Sequence, residues 1–144
     1  MNDDRNRAFT MIEILVVVII LGILAAIVVP QFAGATAEAQ RAAIADEVGK
    51  VRRVLAVYYV RSGNVYPTVT VGDGTWGELL APGSSYMRQP SVNSWVGGVN
   101  AKKIILRNTP DTAYHADYGW IFDPATGNLW AAACDYLDNP FPRP

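Results

Sequence analysis

The chain has 144 residues with a formal net charge of −1, and 51% of its residues are hydrophobic while 17% are charged. There is no basic surplus of the kind that indicates nucleic-acid binding. The single cysteine excludes an intramolecular disulfide. The length is sufficient for a membrane segment and one modest folded domain.

The chain begins with a short polar leader, residues 1–8, followed by an apolar segment over residues 9–30. Residues 9–29 are long enough, as a helix, to cross a hydrocarbon core of about 30 Å. Arg5 and Arg7 precede this segment, and basic residues favour retention on the cytoplasmic side. We therefore expect residues 31–144 to lie outside the cytoplasm.

Glu13 is the one carboxylate at the entrance of the apolar segment. A charged side chain is costly inside a bilayer, so an ionisable residue there is a functional hypothesis by default. The simpler alternative is a side chain that extends to the headgroups.

The run Arg7-Ala8-Phe9-Thr10-Met11-Ile12-Glu13, followed by an apolar helix with Gly22 and by Pro30, resembles the prepilin leader of type IV pilins and type II secretion pseudopilins. The resemblance implies cleavage between Ala8 and Phe9 by a prepilin peptidase and N-methylation of Phe9. The family prefers Gly before the cut, where this chain has Ala8.

The resemblance also implies a filament, a homo-oligomer whose core is made of these helices packed side by side. Glu13 would then meet the amine of Phe9 from a neighbouring subunit and set the register of assembly. Gly22 and Pro30 mark where the helix is most easily unwound. An inner-membrane assembly platform and a cytoplasmic ATPase are the implied partners.

Residues 31–62 are predicted to continue the helix, ending at Gly63. Their apolar stripe, at spacings of three and four, consists of Ile44, Val48, Val51, Leu55 and Tyr58. Residues 63–101 are rich in Gly, Asn and Pro and are predicted to be a loop region. Within it, Thr75 to Glu78 have capping-box spacing before a short helix through Leu80, and Trp95 is expected to pack against the domain.

Three apolar segments within residues 102–134 predict a small antiparallel sheet that covers the helical stripe. They are residues 102–107, 118–123 and 129–134. The fold class is therefore α+β, with a long N-terminal helix packed on the sheet as in pilins. The tail, residues 135–144, is expected to be extended because it is rich in Pro.

Candidate chemistry in this extracytoplasmic part is sparse, so no enzymatic activity is expected. His115 is the only histidine in the chain, which argues against a catalytic or metal site built on histidines. Cys134 ends an apolar strand, where a cysteine is usually a small buried residue and not a nucleophile. We expect no cofactor, with calcium on the acidic side chains as an alternative to a solvated acidic rim; these are Asp111, Asp117, Asp135 and Asp138, with Asn139. Arg52 and Arg53 are expected on a solvated or intersubunit face, and the four tryptophans in the core or at subunit contacts.

We interpret the chain as a structural subunit of a type II secretion pseudopilus. It would be a single-pass inner-membrane protein whose head, residues 31–144, lies in the periplasm. The alternative within the family is a type IV pilus subunit used in motility, adhesion or DNA uptake. The resemblance implies that many adhesive pilins close a C-terminal loop with a cysteine pair, which this chain lacks and which pseudopilins commonly lack. A different class is a periplasmic binding domain released from a signal peptide by a cut after Ala35.

Overall fold

The computed structural model describes residues 10–144, apart from the side chains of residues 30–35. The chain divides into two compact units, with the boundary between Glu38 and Ala39. Residues 10–144 contain an α-helix, two 3-10 helices and three strands: α1 (Met11–Arg61), the 3-10 helices Gly77–Leu80 and Gly98–Lys102, β1 (Ile104–Leu106), β2 (Trp120–Phe122) and β3 (Leu129–Ala131).

Helix α1 ends in the left-handed cap that the sequence predicts. Gly63 has φ +73°, and the N–H of Asn64 donates to the carbonyl of Tyr59 at 2.9 Å. This six-to-one hydrogen bond is the Schellman arrangement, in which a residue without Cβ takes the left-handed conformation. Helix α1 continues through Pro30, as expected.

The core of the second unit is built on the predicted stripe of α1. Four of its five residues are almost completely buried, while Tyr58 is half-buried. They belong to one cluster with the aromatic side chains of the sheet and loops, which include Trp76, Trp95, Trp120 and Phe122. The α+β pilin-like class is therefore confirmed.

The sheet is mixed, with the strand order β1-β2-β3. Strands β2 and β3 form the expected antiparallel hairpin, but β1 pairs with β2 in parallel, with Ile104 opposite Trp120. The prediction of an all-antiparallel sheet is wrong in this pair. The reason is the connection over residues 107–119, which has the dozen or so residues that a parallel crossover needs.

The strands are also shorter than predicted, with three residues each. Strand β3 stops at Ala131 because Ala133 has φ +59°, a left-handed conformation that cannot continue a strand. The outer edge of β1 is covered, since the N–H of Gly72 donates to the carbonyl of Ile104 at 2.8 Å.

The loop region contains the predicted short helix, although without its predicted cap. The 3-10 helix Gly77–Leu80 has no side-chain cap, and Glu78 accepts a hydrogen bond from the N–H of Thr68 at 2.9 Å. Glu78 therefore fixes a neighbouring loop. Trp95 is buried as expected, with its Nε1 donating to the carbonyl of Phe141 at 3.0 Å.

The tail lies against the domain through main-chain pairing. Cys134 and Pro140 form an isolated antiparallel bridge, and the N–H of Phe141 donates to the carbonyl of Ala133 at 2.9 Å. The guanidinium of Arg143 lies 4.5 Å from the ring centroid of Trp95. A tail without a regular helix or sheet is thus still fixed in place.

Alanine substitutions at two glycines should change the free energy of unfolding in opposite directions. A Cβ at Gly119 would lie 2.1 Å from the carbonyl oxygen of Ala101, and main chain cannot move aside easily. We expect Gly119→Ala to lower the free energy of unfolding by about 1 to 3 kcal/mol. Gly49→Ala, in the interior of α1 with only the Arg53 guanidinium at 3.4 Å, should raise it by about 0.5 to 1 kcal/mol.

The measurement is chemical unfolding of the full chain in detergent, followed by tryptophan fluorescence. All four tryptophans lie in the second unit, so the signal reports that unit alone. Equal effects of the two substitutions would contradict the close approach of residues 101 and 119.

Candidate functional site

The described part of the N-terminal segment has the length and composition of a membrane span. Met11–Val29 comprises 19 residues with a mean hydropathy of 3.3, and none of it is buried. The core helix of a soluble protein is mostly covered by its own chain, whereas here Ile19 and Leu21 remain more than half exposed. This surface therefore needs a lipid or protein environment.

A capping box closes the start of α1. Thr10 is followed three residues later by Glu13, and Glu13 Oε2 accepts hydrogen bonds at 3.3 Å from both the backbone N–H and the Oγ1 hydroxyl of Thr10. The N–H of Glu13 in turn donates to Thr10 Oγ1 at 3.3 Å. The two side chains thus satisfy main-chain donors that a helix start leaves unpaired.

Sequence reasoning missed this role of Glu13, although the signal was present. Thr-x-x-Glu directly before an apolar run is the capping-box pattern. The box gives Glu13 a function within its own chain, and it holds the carboxylate at the main-chain N–H of Thr10.

The remaining predicted residues of this segment are only partly described. Ala8 and Phe9 lie outside the described residues, so their predicted processing stays a prediction. Gly22 lies within α1, and a Cβ placed there would meet no heavy atom within 4 Å. Pro30 also lies within α1, and its side chain is outside the described part of the structure.

The carboxylates of the second unit are used as structural anchors. Asp111 is buried and accepts hydrogen bonds from Tyr118 Oη at 2.7 Å, from the N–H of Ala133 at 2.8 Å and from the Arg107 guanidinium. Burial raises the pKa of Asp111, but the hydrogen bonds from Arg107, Ala133 and Tyr118 outweigh burial and hold the pKa below its ordinary value. Asp111 therefore stays charged and fixes the left-handed turn at Ala133.

The loop at residues 135–139 is closed in the same way. Asp138 receives two hydrogen bonds from the Arg52 guanidinium, at 2.6 and 3.1 Å, and Arg52 also donates to the carbonyl of Leu129 at 2.6 Å. Asp135 accepts from the N–H groups of Leu137 and Asn139 at 2.8 and 2.9 Å.

These contacts correct two predictions. Arg52 is not a merely solvated or intersubunit residue, because it ties α1 to the loop that follows β3. Asp111 is buried and Asp138 is mostly covered, so these two carboxylates do not form a solvated acidic rim. Of the three residues Asp111, Asp117 and Asp138, only Asp117 is exposed. Within residues 10–144, no group of three or more His, Cys, Asp or Glu side chains is placed to hold a metal ion.

The two side chains considered for catalysis lie in different environments. His115 is exposed, with its ring centroid 6.3 Å from that of Tyr118. Cys134 is buried, and burial together with the charges of Asp138, Asp135 and Asp111 raises its pKa to about 12. A thiol in that state is a poor nucleophile at neutral pH.

Comparison with known proteins identifies the family. A family model described as the prokaryotic N-terminal methylation motif matches residues 3–29. Type II secretion system core protein G of Klebsiella pneumoniae is 30% identical over 115 residues, which cover 80% of this chain and 74% of that protein. A type IV major fimbrial protein of Dichelobacter nodosus is also 30% identical over 115 residues, covering 79% and 72%. No solved structure matches the chain significantly.

The chain therefore belongs to the family of type IV pilins and type II secretion pseudopilins, as the N-terminal residues indicate. Within that family it is also similar to the type II secretion system core protein G of Escherichia coli K12, at 33% identity over 69 residues. That match spans about half of each protein, 48% of this chain and 47% of the relative. The exposed apolar helix and the family together define a membrane-anchored, pseudopilin-like protein.

The buried carboxylate of Asp111 should make the free energy of unfolding depend on pH. Because its folded pKa is lowered, the carboxylate stabilises the fold above its unfolded pKa of about 3.9, and this stabilisation is lost as the pH falls through the folded pKa. We expect Asp111→Asn to cost about 2 kcal/mol at pH 7, since charged hydrogen bonds to a buried group contribute about 1.5 to 3 kcal/mol.

The free energies of unfolding of the wild type and Asp111→Asn should converge in acid, where the wild-type carboxylate is itself neutral. The matched control is Asp117→Asn, a change at an exposed carboxylate of the same connection, which should leave the unfolding curve unchanged at both ends of the pH range. A constant difference between Asp111→Asn and the wild type down to pH 2 would contradict the charged anchor.

Proposed function

We propose that the protein is a structural, non-enzymatic subunit of a type II secretion pseudopilus. The observation that supports this most directly is the exposed apolar helix Met11–Val29, which follows a methylation-motif leader and is continuous in chain with a folded head. In this proposal the subunit is stored as a single span in the inner membrane, with its head in the periplasm. Arg5 and Arg7 before the span support that orientation.

The proposed pathway begins with processing. A prepilin peptidase cuts between Ala8 and Phe9 and the new amine of Phe9 is methylated, which leaves a positively charged secondary amine at the start of the apolar segment. Subunits then leave the lipid for a filament whose core is formed by their residues 9–30. An assembly platform in the inner membrane and a cytoplasmic ATPase supply the scaffold and the energy.

Glu13 acts in this pathway through its charge. Exchanging lipid for identical helices gains little hydrophobic free energy, because both environments are equally apolar. A carboxylate and an amine without water are costly alone and favourable together, so pairing Glu13 with the Phe9 amine of a neighbour specifies one register. The capping box already fixes the Glu13 side chain at the helix start.

A type IV pilus subunit is the second candidate, favoured by the similarity to the Dichelobacter nodosus fimbrial protein. The two candidates share the processing and the helical core and differ in the machine that assembles the filament. Deletion of a secretion system's assembly platform, compared with deletion of a pilus platform in the same host, would assign the subunit to one of them.

Mass spectrometry of the mature N-terminus tests the processing step. We expect a chain that begins with N-methyl-Phe9, and co-expression with a catalytically inactive prepilin peptidase should return the full-length precursor. A mature chain that begins at Thr36 and is soluble would instead identify a released domain, and it would overturn the proposal.

Substitutions at the helix start separate the charge of Glu13 from its capping role. Glu13→Gln keeps a side chain that can accept the Thr10 hydrogen bonds but removes the charge, whereas Thr10→Ala weakens the capping box and keeps the charge. We expect Glu13→Gln to reduce filament yield more than about tenfold, because breaking a desolvated ion pair costs about 3 to 5 kcal/mol.

Thr10→Ala should assemble nearly as the wild type, because loss of a cap costs only about 1 kcal/mol. Membrane insertion, measured by alkali extraction, should be unchanged in both variants. Normal filament yield with Glu13→Gln and poor yield with Thr10→Ala would show that the capping box matters and the pairing does not.

A further inference from the structure

The loop at residues 135–139 presents two large apolar side chains to solvent. Tyr136 is 70% exposed and Leu137 is 63% exposed. We refer to this pair as the knob. The hydrogen bonds from the N–H groups of Leu137 and Asn139 to Asp135 hold the loop, and the bridge between Cys134 and Pro140 closes its base. The knob is therefore displayed on a fixed backbone, which lowers the entropy lost when it binds.

The surroundings of the knob are acidic. Arg52 neutralises Asp138, but Asp135 accepts only from N–H groups of its own loop and keeps its charge. Asp135 therefore leaves a negative charge beside Tyr136 and Leu137.

A second exposed apolar surface lies on α1 and has the opposite charge. Val57 and Val60 are 46% and 74% exposed, and with Ala56 and Arg61 they line a shallow groove of about 350 Å³. Arg53 lines the adjoining depression with Val57 and Arg61. Neither arginine forms a salt bridge with any residue that the structure describes. We refer to this surface as the groove.

The knob and the groove do not cover each other within one chain. Tyr136 and Leu137 remain 70% and 63% exposed, and Val60 remains 74% exposed. Along α1, Val57 and Val60 point about 140° and about 80° away from Arg52, which contacts the knob loop. Both surfaces are therefore open to a second molecule.

We propose that the knob of one copy docks into the groove of the next copy, with Tyr136 and Leu137 against Val57 and Val60 and with Asp135 facing Arg53 and Arg61. The occupant is a second copy because the knob and the groove carry opposite charges. A contact between two different surfaces is heterologous, and repetition of it generates an open helical array rather than a closed dimer. The inference rests on the proposed function and assigns the surfaces by which neighbouring heads meet.

The contact is weak by itself, since two side chains bury far less area than a stable interface requires. Subunits held together through their apolar helices are at a high local concentration, and a weak second contact then becomes effective. The knob and groove should therefore be occupied in assembled subunits and empty in dilute ones.

Cysteine cross-linking in membranes tests the contact directly. Leu137→Cys and Val60→Cys are placed in two differently tagged full-length copies, which are co-expressed and oxidised. We expect a cross-link between the two tags at least tenfold above that of either variant expressed alone. Cys134 stays in place because it is buried, and Leu137→Cys with Val99→Cys is the control, since Val99 is 89% exposed and outside both surfaces.

Charge exchange gives an independent measure. Leu137→Lys places a cation opposite Arg53 and Arg61 and should lower filament yield about fivefold or more. Adding Arg53→Glu should restore part of the yield, because the new carboxylate can pair with the lysine while Arg61 still faces Asp135, and Val99→Lys should leave the yield unchanged. Lys and Glu at these exposed positions disturb no buried contact, so the fold remains intact.

The outcomes separate the contact from the proposed function. If the wild type assembles but the mixed cross-link is no stronger than the Val99→Cys control, or if Leu137→Lys assembles normally, the contact is wrong and the proposed function stands. Strong cross-links of Leu137→Cys with itself would replace the heterologous contact with an isologous one. If the wild type forms no filament in a host with the complete secretion machinery, the proposed function fails and the contact fails with it.

Discussion

The central constraint on this protein is an apolar helix surface that its own folded part does not cover. Over Met11–Val29 the apolar side chains surround the helix on all sides, so burial of one face would not suffice. Further along α1 the pattern narrows to the stripe from Ile44 to Leu55, which is buried by the head. One continuous helix therefore has two kinds of surface. The change from apolar residues on all sides to a single apolar stripe marks where one kind of surface gives way to the other.

The head is organised by side-chain anchors more than by its sheet. Three strands of three residues provide few ladder hydrogen bonds, and the long connection over residues 107–119 joins β1 to β2. Buried polar groups secure those connections. The Asn93 side chain donates to the carbonyls of Gly119 and Ala132 and accepts from the N–H of Trp95, while Asp111 fixes the turn after β3. Satisfied polar groups of this kind specify one arrangement of loops, since every alternative leaves them unpaired.

Much of this architecture follows from local sequence pattern. The span, the buried stripe, the cap at Gly63 and the hairpin of β2 and β3 are each encoded by neighbouring residues, so they were predicted. The parallel pairing of β1 was not, because it depends on how a long connection crosses the sheet. The contacts of Arg52 and Asp111 were also missed, since their partners, Asp138 and Ala133, are distant in sequence. The capping box of Glu13 is different, because its Thr-x-x-Glu pattern is local and is by itself sufficient to predict the cap.

Burial of Cys134 has a consequence for the compartment in which the proposed topology places the head. Extracytoplasmic compartments oxidise accessible thiols, and an unpaired cysteine on a polymerising subunit would link neighbours covalently and at random. Here burial, together with the charges of nearby carboxylates, raises the pKa of the thiol to about 12, so the sulfur is shielded from solvent and stays protonated at neutral pH. Thiol exchange requires a thiolate, so the chain keeps a lone cysteine without the risk of irreversible mispairing. In the proposed assembly, subunits of this kind join a filament through non-covalent contacts alone.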